Sequence, residues 1–162
     1  MREKIIKDLW KLIISLLICQ AAGIIGSFFT AQSVTTWYLD MRKPFFTPPN
    51  YIFAPVWFLL YLLMGIAFFL VWRIKMDPSK LRAAFAIFIT QLLLNSTWSI
   101  AFFGFKSPMA GLIVIVALWL AICYTIIIFR KISLTAAMLL IPYILWVSFA
   151  VFLNGAIFVL NK

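Results

Sequence analysis

The sequence predicts an all-α membrane protein, a single-domain bundle of five transmembrane helices. Apolar residues make up 66% of its 162 residues and charged residues 11%, against about 45–50% and about 25% in soluble domains. Five apolar runs are close to the roughly 20 residues that a helix needs to cross the hydrocarbon core. None of the runs alternates apolar with polar residues, as a barrel strand would. An ordinary soluble domain and a disordered tail are therefore excluded.

The predicted spans are bounded by recognisable helix-start signals. Asp77 with Pro78, and Ser107 with Pro108, each offer a capping side chain before a first-turn proline. The five spans are Leu12–Phe29, Tyr51–Trp72, Ala83–Phe105, Met109–Phe129 and Leu134–Leu160. Ser133 or Thr135 is expected to cap the last one. The first span also resembles a signal peptide, but it is long for one and Gln20 interrupts it, so an uncleaved helix is favoured.

The basic residues predict an orientation. The chain carries a net charge of +10, and ten of its 14 Lys and Arg residues lie in the N-terminal tail and in the loops after the second and fourth spans. The positive-inside rule then places the N-terminus in the cytoplasm and the C-terminus outside, and we expect the membrane of a bacterial cell. No basic stripe interleaves with aromatic residues, so nucleic acid is not an expected partner.

The titratable residues exclude several kinds of chemistry. There is no His, which removes the commonest general base and the usual zinc and haem ligand. Cys19 and Cys123 are far apart in apolar surroundings and are expected to be buried free thiols. The four acidic residues all lie outside the apolar runs, so no carboxylate within the membrane could bind a coupling ion. Neither a metal nor a required cofactor is predicted, and ion-coupled transport is disfavoured.

Three spans place polar and aromatic side chains at helical spacing. Such faces avoid lipid and are expected to line a cavity for a large, flat, apolar ligand with a small polar edge. The candidate ligand-binding residues are Trp57 and Tyr61 on the second span, Gln91, Asn95, Trp98 and Phe102 on the third, and Trp146, Ala150 and Asn154 on the fifth. Pro142 predicts a kink in the fifth span. The alternative is that Gln91 and Asn95 only join helices.

Small residues on the first span indicate close helix packing. Cys19 with Gly23, and Ala22 with Gly26, are pairs spaced by four. Such pairs let helix backbones approach each other within one chain or between two chains, and the sequence leaves both possibilities open.

The loop Thr30–Asn50 is the other candidate functional element. It is longer than ordinary connections, which indicates an ordered, functional segment. Its prolines and aromatic residues predict a stiff lid over the cavity, formed by Trp37, Tyr38, Lys43, Pro44, Pro48 and Pro49. The alternative is a segment that lies on the lipid headgroups.

Three stretches resemble the TspO/MBR family, which comprises tryptophan-rich sensory proteins of bacteria and the mitochondrial translocator protein, or peripheral benzodiazepine receptor. They are KPFFTPPNYIFAPVWFLLYLLMGIAFFLVW (Lys43–Trp72), QLLLNSTWSIAFFGFKSP (Gln91–Pro108) and LLIPYILWVSFAVFLN (Leu139–Asn154). The resemblance implies five transmembrane helices, commonly in a homodimer. It also implies a pocket beneath the first loop for porphyrins such as protoporphyrin IX, haem-related tetrapyrroles, and isoquinoline or benzodiazepine ligands.

The resemblance also assigns roles to single residues. It puts Trp57, Tyr61, Asn95, Trp98, Trp146 and Ala150 in the pocket, and it gives Trp57 and Trp146 the catalytic positions if protoporphyrin is photo-oxidised. The chain departs from the family at Phe46, where many members have Trp, and at Asn50, where many have Gly. Its version of the cholesterol-associated pattern, with Leu153, Phe158 and Lys162, is imperfect, so sterol binding is not expected.

Together the residues and the resemblance predict a binding or sensor protein for porphyrins without turnover. Light-dependent oxidative degradation of protoporphyrin IX is one alternative, in which the pigment itself supplies the chemistry. Passive transport of tetrapyrrole or lipid is another.

Overall fold

The computed structural model describes residues 2–162, apart from the side chains of Arg2 and Lys4. Within that range the regular structure is helical, without strands, and five of the helical segments are long and apolar enough to cross a membrane. The helices are α1 (Arg2–Val34), α2 (Trp37–Asp40), α3 (Asn50–Trp72), α4 (Pro78–Ser99), α5 (Pro108–Ile132), α6 (Leu134–Leu139) and α7 (Ile141–Leu160). The predicted fold class, an all-α bundle with five spans, is confirmed.

The first helix is much longer than its predicted span. It begins at Arg2 and ends at Val34, whereas the apolar run covers only Leu12–Phe29. The length of the apolar run corresponds to the thickness of the hydrocarbon core. A helix can continue beyond it into the polar interface, where its charged side chains meet water. The predicted loop Thr30–Asn50 is correspondingly shorter, since it loses residues to α1 and to the short helix α2.

The predicted caps form at three helix starts. Asp77 accepts a hydrogen bond from the backbone N–H of Ser79 at 2.7 Å, and Pro78 opens the first turn of α4. Ser107 accepts from the Ala110 N–H at 3.2 Å. Ser133, rather than Thr135, accepts from the Ala136 N–H at 3.2 Å. These side chains satisfy backbone donors that have no partner inside the helix.

Two helices depart from regular geometry. After Ser99, α4 continues as a π-helix over Ile100–Gly104, and Lys106 follows with φ of 51°, a left-handed conformation that ends the span sharply. The fifth span breaks at Leu140 into α6 and α7. Pro142 lies in the first turn of α7, and its missing N–H prevents a continuous helix. The predicted kink is therefore confirmed.

The bundle is solid at one end and hollow at the other. At the end where α1 begins, called here the N-terminal end, the rings of Phe68 and Phe88 stack at 4.5 Å, and those of Phe88 and Phe129 at 5.7 Å. All three side chains are at most 2% exposed. There α6 packs closely on α3, whereas beyond the break the α7 backbone lies farther from α3 and contacts it through side chains such as those of Phe53 and Trp146. The break thus separates α7 from α3 towards the opposite end, called here the loop end.

Small residues of α1 and α3 let these two helices approach closely. A Cβ on Gly65 would lie 3.0 Å from the Leu16 Cα and 3.2 Å from the Ser15 carbonyl oxygen, so α3 can approach the α1 backbone only because Gly65 lacks one. The carbonyl oxygen of Ala22 accepts a hydrogen bond from the Ser96 hydroxyl of α4 at 3.1 Å. The small-residue face of α1 therefore packs within the chain.

Candidate functional site

The hollow loop end of the bundle encloses a cavity of about 400 Å³. Cavities of this size are typical of small-molecule sites. Five helices contribute to its wall: α1, α2, α3, α4 with its π-helical extension, and α7. Seven of the nine predicted ligand-binding residues line it: Trp57, Tyr61, Asn95, Trp98, Phe102, Ala150 and Asn154.

The cavity wall is dominated by aromatic rings from α3 and α4. The Trp57 ring lies 5.7 Å from that of Tyr61 and 6.1 Å from that of Trp98, tilted by 31° and 32°. The Trp98 ring in turn stacks on Phe102 at 5.9 Å. Such a set of nearly aligned rings offers flat apolar surface at little entropic cost, because each ring is held by its neighbours.

A chain of hydrogen bonds forms the floor of the cavity. The Tyr61 hydroxyl donates to Asn95 Oδ1 at 2.5 Å, and Asn95 Nδ2 donates to the Tyr143 hydroxyl at 2.8 Å. Tyr143 donates to Gln91 Oε1 at 2.9 Å, and Gln91 Nε2 points at the Met64 sulfur, 4.0 Å away. Every member is buried, and the bonds satisfy groups that would be costly to leave unpaired in hydrocarbon.

The structure corrects the placement of Gln91. Its side chain is 1% exposed and does not line the cavity; it lies one helical turn below Asn95 and is bonded to Tyr143. The spacing of four correctly put both amides on one face of α4, but the cavity ends at Asn95. For Gln91 the alternative that it joins helices is the one that the contacts support.

Trp146 is also displaced from its predicted place. Its ring packs against Phe53 at 5.9 Å and Phe149 at 5.7 Å, at the seam between α3 and α7, and it does not line the cavity. A row spaced by four residues turns by about 40° per step, because a helix has 3.6 residues per turn. Ala150 and Asn154 on the same row face the cavity, whereas Trp146 faces the seam.

A second hydrogen-bonded pair holds the top of the aromatic wall. The indole N–H of Trp98 donates to Asn154 Oδ1 at 3.2 Å, and Asn154 Nδ2 donates to the Pro108 carbonyl oxygen at 2.8 Å. Asn154 thereby connects α4, α7 and the start of α5. The orientation of the Trp98 ring is fixed by this pair rather than by a ligand.

Of the six predicted lid residues, only Tyr38 lines the cavity. Trp37 packs edge-on against Phe102 at 5.7 Å, and the Lys43 ammonium lies 4.7 Å from the centre of the Tyr38 ring. Pro44 accepts hydrogen bonds from the Thr47 N–H and hydroxyl at 3.1 and 2.8 Å. Pro48 and Pro49 lead into α3 without lining the cavity. Of these six residues, Tyr38 in α2 therefore makes the contact with the cavity.

Two hydrogen bonds fasten this segment to the last helix. The Arg42 N–H donates to Asn161 Oδ1 at 3.0 Å, and Asn161 Nδ2 donates to the Arg42 carbonyl oxygen at 2.9 Å. The Phe46 ring adds an edge contact with Phe149 at 6.3 Å. The loop is thus attached at the end of α7, on the far side of the cavity from α1.

A whole wall of the cavity, contributed by α1, was missed by the sequence reasoning. Apart from Gln20, its residues have small or apolar side chains: Gly23, Ile24, Gly26, Ser27, Thr30, Ala31 and Val34. Ile24 is 68% exposed and Phe58 of α3 is 61% exposed, so the cavity is open sideways between α1 and α3. The spacing of Gly23, Gly26 and Thr30 along one face was the available signal.

Among the described residues, those that line the cavity include no charged side chain. Its polar groups are hydroxyls, amides and an indole N–H, and aromatic and aliphatic carbon provides most of the surface. Such a site can hold a flat apolar molecule and meet a few polar atoms. It offers no group that could act as a general acid or base near neutral pH.

Comparison with known proteins gives a consistent family. The model of the TspO/MBR family matches residues 15–160. The chain is 48% identical over 155 residues to "Tryptophan-rich protein TspO" of Archaeoglobus fulgidus, covering 95% of this chain and 99% of that protein. It is 39% identical to the protein of the same name from Chlorobaculum tepidum, covering 96% and 98%. It is 32% identical to the human "Translocator protein", covering 80% and 78%.

Proposed function

The chain belongs to the TspO/MBR family, and from that premise we propose that it is a membrane-embedded binding or sensor protein for porphyrins and other flat apolar molecules. The observation that carries this proposal is the uncharged cavity of about 400 Å³ with Trp57, Tyr61, Trp98 and Phe102 in its wall. Flat aromatic ligands are stabilised by stacking or edge contacts with such rings and by the loss of water-exposed apolar surface.

A titration of protoporphyrin IX into the purified protein in detergent tests the proposal. Binding is followed by the shift of the porphyrin absorbance band, so that loss of an indole does not itself remove the signal. Trp57→Ala removes one wall of the cavity and should weaken binding by about 1–2 kcal/mol, or about 5- to 30-fold in Kd. Trp146→Ala is the matched control, because Trp146 lies outside the cavity, and it should change Kd by less than about twofold.

The pair of variants makes the result decisive. Absence of saturable binding by the wild-type protein would refute the proposal. Equal weakening by both Trp57→Ala and Trp146→Ala would place the ligand elsewhere, since only Trp57 reaches the cavity.

Light-dependent oxidation of the bound pigment is a second candidate, favoured by the position of Trp57. Its indole lies in the cavity wall, within reach of a bound ring, whereas Trp146 packs at the α3–α7 seam. The pigment would absorb light and dioxygen would be the oxidant, with Trp57 as the electron-rich neighbour. Illumination of the complex should then bleach the pigment faster than in a Trp57→Phe variant. Equal bleaching in both, and in free pigment, would exclude this activity.

The closed N-terminal end argues against passage through the bundle. A ligand in the cavity meets the Tyr61–Asn95–Tyr143 bonds and then the stacked Phe68, Phe88 and Phe129 rings. Passive transport would require all of these contacts to separate. We therefore propose binding rather than transport.

We also propose that the N-terminal end faces the cytoplasm, which puts the cavity in the outer half of the membrane. The excess of Lys and Arg at the N-terminal tail and the two loops on its side supports this orientation. Lys162→Cys is made in a variant from which Cys19 and Cys123 have been removed. Its thiol should react with a membrane-impermeant maleimide added to intact cells. Labelling only after lysis would reverse the orientation.

A further inference from the structure

The polar groups that sequence reasoning assigned to the ligand are already occupied by partners within the chain. The Tyr61 hydroxyl donates to Asn95, and the Trp98 indole donates to Asn154. Asn95 and Asn154 each donate one amide N–H to a further partner. A ligand that took one of these donors would have to break an existing hydrogen bond, which cancels most of the gain.

Two other hydroxyls of the lining have no partner in the described part of the chain. Ser99 is 7% exposed and Tyr38 is 4% exposed, and both line the cavity. Neither hydroxyl takes part in a hydrogen bond within the described part of the chain, yet neither oxygen is completely buried. Because both side chains line the cavity, we infer that their oxygens open into it. The indole N–H of Trp57 is also without a partner, but that ring is only half-buried.

The surroundings keep both hydroxyls open. Ser99 lies opposite Gly26 of α1, where a Cβ would lie 3.0 Å from the Ser99 oxygen, so a larger residue at Gly26 would crowd the hydroxyl. At Tyr38 the ring is held by Phe102 and Phe103, at 6.2 and 5.7 Å. The Lys43 ammonium lies 4.7 Å from the centre of this ring, which adds a positive charge at the loop end of the cavity.

The phenol of Tyr38 keeps its proton. Burial raises the pKa of Tyr38 above its ordinary value, since a phenolate would lose hydration that the apolar surroundings do not replace. A neutral phenol can donate its O–H in a hydrogen bond, whereas a phenolate can only accept one. The nearby Lys43 charge favours a partner that is an acceptor, and most of all an anionic one.

We propose that Ser99 and Tyr38 orient the ligand by donating hydrogen bonds to oxygen acceptors at its edge, such as carboxylate or carbonyl groups. The inference rests on the proposed function and deepens it, because it assigns the polar edge of the ligand to two particular residues of the site. It makes these two residues determinants of polar specificity in the cavity.

Two porphyrins that share the ring but differ at the edge test this assignment. Protoporphyrin IX carries two carboxylate groups, whereas octaethylporphyrin carries only alkyl groups. Each is titrated, in the same detergent, into the wild-type protein and into Ser99→Ala, Tyr38→Phe and Ser96→Ala. Ser96 is the matched control, because its hydroxyl bonds to the Ala22 carbonyl oxygen inside the helix packing and does not line the cavity.

We expect Ser99→Ala and Tyr38→Phe each to raise the Kd for protoporphyrin IX by about 3- to 10-fold. The same variants should leave the Kd for octaethylporphyrin within about twofold, and Ser96→Ala should leave both unchanged. An unchanged melting temperature for Ser99→Ala and Tyr38→Phe would show that the loss is not one of folding.

The possible failures are distinguishable. If the wild-type protein binds both porphyrins and the variants bind them equally well, the inference is overturned and the proposed function stands. If Ser99→Ala weakens the binding of both porphyrins to the same extent, the hydroxyl contacts the ring rather than the substituents at its edge, and the inference is wrong. If the wild-type protein binds neither porphyrin, both the proposed function and the inference fail.

Discussion

Adding one methyl group at Gly23 should disturb the floor of the cavity. A Cβ there would lie 2.5 and 2.6 Å from two carbons of the Tyr61 ring and 3.2 Å from a third. The first two distances are well inside van der Waals contact, so either the ring or the helix must move. The Tyr61 side chain is 6% exposed and its hydroxyl is bonded to Asn95, so the ring can move only towards the cavity.

The size of the effect follows from these contacts. Overpacking of a well-packed core by one methyl group costs about 1–3 kcal/mol, and loss of the Tyr61–Asn95 hydrogen bond adds about 0.6 kcal/mol on the average for membrane proteins. The overpacking term is the larger. Gly23→Ala should therefore lower the folding equilibrium constant by at least about fivefold, and the displaced ring should reduce the room for a ligand.

Gly155→Ala is the matched control. It makes the same change in α7, but the nearest atom to the new Cβ is Leu112 Cδ1 at 3.9 Å, an ordinary contact. Because Ala is the better helix former, this variant should be neutral or slightly stabilising.

Reversible unfolding by SDS in mixed micelles, followed by far-UV circular dichroism, measures both variants, and a protoporphyrin IX titration measures the cavity. Gly23→Ala should unfold at lower SDS and bind more weakly than Gly155→Ala. If the two variants unfold together and bind alike, α1 does not approach the Tyr61 ring as closely as the distances indicate.

Three further predictions concern the floor, the loop and a helix cap. In a double-mutant cycle, Tyr61→Phe and Asn95→Leu should show a coupling energy of about 0.5–1.5 kcal/mol in SDS unfolding. If the two single changes in the free energy of unfolding simply add in the double variant, the hydrogen bond does not form. Asn161→Ala releases two hydrogen bonds to the loop backbone, so stopped-flow mixing should show faster porphyrin association and dissociation, with Lys162→Ala unchanged. The Ser79 hydroxyl and N–H hold the pKa of Asp77 below its ordinary value of 3.8, so its capping stabilises the fold above that pH and is lost as pH falls through the lowered value. The melting-temperature difference between wild type and Asp77→Ala should therefore shrink on acidification from about pH 7 to about pH 3, and a constant difference would contradict the assigned cap.

The fold could be predicted because its signals are local. Apolar length identified all five spans, and the capping residues at Asp77, Ser107 and Ser133 marked where three helical segments begin. The ends of α1 could not be found in this way, since hydropathy reports where hydrocarbon lies and not where helical hydrogen bonding stops. The π-helix at Ile100–Gly104 had no local signal that the sequence reasoning used.

For the candidate site, the sequence could predict which residues share a helix face, but not how the faces are placed against each other. Spacing put Asn95, Trp98 and Phe102 on one side of α4, but it did not reveal that the cavity ends above Gln91. It also did not reveal that Trp146 turns into the seam beside Phe53. Depth along a helix and rotation around it are set by how the helices pack, which no single span contains. For the same reason, the residues of α1 that line the cavity were predicted only to pack against other helices.

Filling the cavity shows whether the ligand binds inside it. Ala150 lines the cavity and is 8% exposed, so Ala150→Phe places a ring where the ligand would lie, whereas Ala117→Phe makes the same change on the exposed side of α5. Protoporphyrin IX titrations should show saturable one-to-one binding by wild type and Ala117→Phe, and a loss of at least about tenfold in affinity, or about 1.4 kcal/mol, for a folded Ala150→Phe. Undiminished binding by Ala150→Phe would mean that the ligand binds outside the cavity.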